Sequence, residues 1–78
     1  MAEFTNRDRA RAALEGVKKF ASQVYTGGMK TEEIDTIIQD LLTDLHHLAD
    51  AKRVDWQQVT RRAEGNYREE VREERRGY

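Results

Sequence analysis

The segment from Thr31 to Asp50, TEEIDTIIQDLLTDLHHLAD, constrains this chain most. Ile34, Ile37, Ile38, Leu41, Leu42, Leu45, Leu48 and Ala49 recur within it at three- and four-residue steps, the spacing that sets side chains on one face of an α-helix. Its remaining positions are almost all acidic or polar. Such a helix has a broad apolar face and an anionic remainder, and the apolar face must be covered to escape water. The rest of the chain is therefore expected to supply helical cover.

Two further helical patterns flank it. Thr5 or Asn6 can cap a first helix running to about Tyr25, with Ala10, Ala13, Leu14, Val17, Phe20, Ala21 and Val24 as its apolar stripe. Gly27 and Gly28 close it. Thr31 is the expected cap of the second helix, with Glu32 and Glu33 in its first turn, where the macrodipole favours negative charge. Asp55 then caps a third helix, Gln58 stands at its third position, and Val54 can staple onto Val59. Trp56, Val59, Ala63, Tyr67 and Val71 form its stripe. The chain has no proline, and no strand is needed. The reading is an all-α three-helix bundle, helices about 6–25, 32–51 and 56–74, in one domain over residues 1–78. Beyond Val71 no apolar residue precedes Tyr78, so the last turn, about 72–78, is expected to fray or to dock on a partner.

Seventy-eight residues without a cysteine leave no disulfide framework and no thiolate zinc site, which favours a reducing cytoplasm. The first residues, MAEFTNRDRA, hold no apolar run long enough for export or for a membrane span. The net charge of −1 conceals a segregation: residues 1–30 carry +3, residues 31–50 carry −6 and residues 51–78 carry +2. Complementarity within the fold is the simplest use of that pattern. It predicts that Arg7, Arg11 and Lys18 face Asp35, His46 and Asp50, with His46 also within helical reach of Asp50.

Candidate chemistry is sparse. Asp40, Asp44 and His47 stand at steps of four and three on one flank of the second helix, with Glu33 further up. Carboxylates and an imidazole so spaced could share a divalent ion, but no second histidine-bearing motif on the other helices completes a site. A solvated flank is the plainer reading, and no metal or cofactor is assigned. No nucleophile is coupled to a base and an orienting group, so the chain is read as no enzyme. Arginines of the first and third helices offer phosphate contacts. Glu64, Glu69, Glu70, Glu73 and Glu74 interrupt those of the third helix, which makes nucleic-acid binding the alternative rather than the first reading. Protein binding comes first, through an anionic face of Glu33, Asp40, Asp44 and His47 and a tail of Arg68, Arg72, Arg76 and Tyr78. Apolar surface left over on the second and third helices leaves room for a homodimer.

The run IIQDLLTDLHHLAD resembles the acidic helix of MazG-type nucleotide pyrophosphohydrolases, a family that holds magnesium on paired E-x-x-E and E-x-x-D motifs. This chain departs from that pattern: Glu32 and Glu33 are adjacent, and Ile37 stands three before Asp40. The longer run DLLTDLHHLADAKRVDWQQVTRRAEGNYREE resembles small helical proteins encoded by phages and other mobile elements. In these an acidic helix is followed by an Asp-aromatic pair, here Asp55 and Trp56, and by a helix with a spaced alanine and aromatic, here Ala63 and Tyr67. The resemblance implies a mobile-element origin. Some such proteins inhibit host defence, anti-CRISPR proteins among them, by binding nucleoprotein effector complexes. The function expected from it is a non-catalytic protein-binding module, in its sharpest form an inhibitor of a defence nuclease complex.

Overall fold

Helical segments follow one another along the chain in a computed structural model that describes residues 4–76. They are α1 (Asn6–Val24), a 3-10 turn (Gly28–Thr31), α2 (Ile34–Ala51) and α3 (Trp56–Arg75). No strand occurs among the described residues, and the architecture is all-α with three helices.

The helix ends follow local chemistry. Thr5 Oγ1 accepts the Asp8 N–H at 3.2 Å and Asp8 Oδ2 accepts the Thr5 N–H at 3.0 Å, a reciprocal capping box. Those hydrogen bonds hold the Asp8 carboxyl below its ordinary pKa, with nearby Arg11 and Arg9 adding to the effect. Asp55 caps α3 by accepting the Gln58 N–H at 3.0 Å. The start of α2 differs from expectation. Thr31 ends the 3-10 turn, its hydroxyl donating to the Gly28 carbonyl, and Glu33 takes the N-cap without a side-chain hydrogen bond. Gly27, with φ of 92°, makes that turn possible, since a Cβ there would come within 2.9 Å of the Thr31 methyl.

The end of α2 is a Schellman motif. The Val54 N–H returns to the Ala49 carbonyl at 2.8 Å and the Arg53 N–H to the Asp50 carbonyl at 3.2 Å. Arg53 occupies the left-handed position, φ 58°, that glycine usually fills. Val54 and Ala49 line one apolar hollow with Trp56 and Val59, the apolar contact that accompanies this motif. Ala49 is buried there.

The centre is small. Among the described residues only Val17, Ala21, Ile37 and Ala49 are buried. Phe20, Tyr25, Met29 and Leu41 pack around the first three, where α1 meets the start of α2. α3 is tied at its two ends. At one end the His46 ring stacks on Trp56, centroids 4.7 Å apart and planes 11° from parallel. At the other, the Asn6 N–H donates to the Glu74 carboxylate at 2.9 Å, the Asn6 side-chain amide donates to the Glu70 carbonyl, and Arg9 pairs with Glu70 at 3.3 Å.

α3 continues to Arg75, one residue past the expected end, and Glu70 and Glu74 bond the start of α1; Tyr78 lies outside the described residues. One expectation is corrected. Val59, Ala63 and Tyr67 were expected in the core but are exposed, Tyr67 by 61%. The radius of gyration is 14.8 Å, against about 11.5 Å for a closely packed chain of this length. The helices meet mainly at their ends and leave the middle open.

Candidate functional site

The open middle is a groove between α1 and α2. From α1 it takes Ala10, Ala13, Leu14, Gly16 and Val17, and from α2 Ile34, Ile38, Leu41, Leu42 and Leu45. The groove holds about 700 Å³ and is open to solvent, and no lining side chain is polar. Ile38, Leu42 and Leu45 are 46%, 51% and 40% exposed, whereas their neighbour Ile37 is fully buried. Helical geometry explains the contrast. Ile37 and Leu41 lie on the side of α2 that meets α1, while Ile34, Ile38, Leu42 and Leu45 continue the apolar arc past that contact. On α3, Val59, Ala63 and Tyr67 leave most of this arc in water.

Of the proposed anionic face, Glu33, Asp40, Asp44 and His47 share the opposite flank of α2 by their spacing. Asp40 is half-buried and accepts a hydrogen bond from the Tyr25 hydroxyl. That bond, with burial and the negative charges of Asp40, Glu32 and Asp44 behind it, pushes the Tyr25 phenol up to about 12. Glu33, Asp44 and His47 are exposed. Among the described residues no group of three or more His, Cys, Asp or Glu is placed to hold a metal ion.

The expected charge match within the fold is also corrected. It is the Asp40 flank that lies against the end of α1, through Tyr25, while the opposite flank turns toward α3, where His46 stacks on Trp56. His46 makes no ion pair with Asp50 among the described residues. On α3, Arg68 is engaged by Glu64 at 3.6 Å and Arg72 by Glu69 at 2.9 Å, both exposed pairs. Arg76 caps the helix by its backbone. The basic tail is thus a salt-bridged solvent face along α3, and the groove is a separate surface.

The groove residues had been assigned to the core, because periodicity marks an apolar face without saying what covers it. The available warning was size: eight apolar positions on α2 stand against a thin stripe on α3 with an alanine at its middle. No family model matches this chain, and no curated protein or solved structure shows significant similarity to it. Among the described residues no helix is long and apolar enough to cross a membrane.

Proposed function

We propose that this protein is a non-catalytic contact module of the cytoplasm whose working surface is the apolar groove between α1 and α2. The observation that carries the reading is the exposure of Ile38, Leu42 and Leu45 together in a groove without a polar lining side chain. A continuous apolar surface of this kind gains most from a complementary protein surface that removes it from water. The exposed strip of Glu33, Asp44 and His47 lies on the other flank of α2 and is a second surface, suited to basic partners rather than part of the groove. A nucleoprotein effector of a defence system is the sharpest form of partner, and the resemblance to mobile-element proteins alone supports it.

The test is affinity capture from a bacterial lysate, with and without nuclease, using the wild-type chain and the I38D and L42D variants. The expected result is a nuclease-resistant protein retained by the wild type and lost with either variant. Recovery of nucleic acid alone, abolished by nuclease, would overturn the reading in favour of the arginines of α1 and α3.

A further inference from the structure

We infer that the occupant of the α1–α2 groove is a second copy of this chain, seated groove to groove about a two-fold axis, with α1 of each copy over α2 of the other. The inference rests on the contact reading above and takes a second copy, in place of a foreign protein, as the occupant of the groove.

Area is the first argument. The chain exposes 6704 Å², whereas a folded monomer of 9.1 kDa exposes about 4,900 Å². The excess is about 1,800 Å². The five terminal residues outside the description bound a correction of about 900 Å², taken at full unfolded exposure. Between about 900 and 1,800 Å² per copy then remains over the whole surface, of which the groove is one part, and stable dimers bury about 800 Å² or more on each partner. Covering the groove on both copies would bring the exposed surface back toward that of an ordinary folded protein.

Charge is the second. α1 carries five basic and two acidic residues, and α2 carries four carboxylates with no lysine or arginine. The walls of the groove are apolar, and charge stands beside them, with Arg7 and Arg11 on α1 and Asp50 on α2 exposed. A two-fold arrangement that sets α1 on the partner's α2 brings opposite signs together where the start of α1 meets the end of α2, with exposed Arg7 reaching toward exposed Asp50. Setting α2 on α2 would instead bring Asp35 and Asp50 of both copies to the same seam, Asp40 and Asp44 lying on the other flank. The match between these residues that does not form within one chain forms between two. An isologous contact of this kind closes on itself and leaves no groove open for further copies.

Sedimentation equilibrium of the purified chain, from about 1 to about 200 µM, tests the second copy. The expected result is a species of twice the 9.1 kDa chain mass, with I38D and L42D each weakening association about 100-fold, as a carboxylate placed in an apolar contact should. Disulfide trapping keeps the test decisive if those variants unfold. The chain has no native cysteine, so an equimolar mixture of L14C and L42C chains can cross-link only between molecules. A mixed L14C–L42C product, formed in preference to L42C–L42C, is expected. Preference for L42C–L42C would overturn the arrangement, and the single-chain mass throughout would overturn the second copy. In that last case a foreign protein captured by the wild type and lost with I38D leaves the contact reading standing, whereas no capture removes both.

Discussion

Replacing Ile37 by alanine should nearly exhaust the stability of this fold. Ile37 is the one large side chain among the described residues that is fully buried, and it packs with Val17 and Ala21 at the meeting of α1 and α2. The substitution removes three buried carbons, about 2.4 kcal/mol at about 0.8 kcal/mol each. The cavity left behind raises this to about 3 kcal/mol, within the range of about 2 to 5 kcal/mol for such changes. A 78-residue domain has about 4 kcal/mol at the low end of ordinary stability, where so small a core places it. About 1 kcal/mol would remain, enough to leave roughly one molecule in six unfolded. The control is its neighbour. Ile38→Ala removes the same carbons from a side chain already 46% exposed, so about 1 kcal/mol is expected. Urea unfolding followed by circular dichroism at about 1 µM, where association contributes least, measures both, and an unchanged slope would show that only stability moved. A loss at Ile37 no larger than that at Ile38 would refute this account of the core.

Three further outcomes follow from particular contacts. Tyr25 should titrate near 12, above an ordinary tyrosine, in absorbance at alkaline pH, and Y25F should remove that phase. Because its folded pKa is raised, its contribution to stability is complete below the unfolded value near 10 and declines as pH rises from there toward 12; Y25F should show a weaker alkaline decline. Asn6→Ala removes the amide that reaches the Glu70 carbonyl, and about 1 kcal/mol should appear as roughly fivefold faster hydrogen exchange in the last turns of α3, with the Ile37 region little changed. Arg53→Gly relieves a left-handed residue at φ 58° and should raise stability by about 0.5 to 1 kcal/mol in urea unfolding; a loss would show that the Arg53 side chain contributes something its backbone does not.

Helix boundaries were legible wherever a side chain closes a turn. Thr5 with Asp8, and Asp55 with Gln58, lie three residues apart and mark their helix starts to within a residue. Thr31 misled, since its hydroxyl is equally suited to a short 3-10 turn, and the two glycines before it bend the chain into one. The fate of the apolar faces was not legible. Leu42 and Leu41 look alike in sequence, yet one is half in water and the other packs on the core, because burial depends on how far α3 leans over α2. Two contacts with no local signal set that lean: Asn6 with Glu74, 68 positions apart, and the His46 ring on Trp56. For the same reason Asp40 looked like free surface charge, although the Tyr25 hydroxyl occupies one of its oxygens.

The two end attachments of α3 give it the mechanics of a strut. Fixed to the first turn of α1 at one end and to the last turns of α2 at the other, it props the free arms of those helices apart while their joint stays packed around Ile37. The groove is held open by the length of α3 between its far corners rather than by anything inside it. Releasing the Asn6 corner would let α1 and α2 swing together about that joint, so the surface that receives a partner and the strut that keeps it receptive would be lost as one.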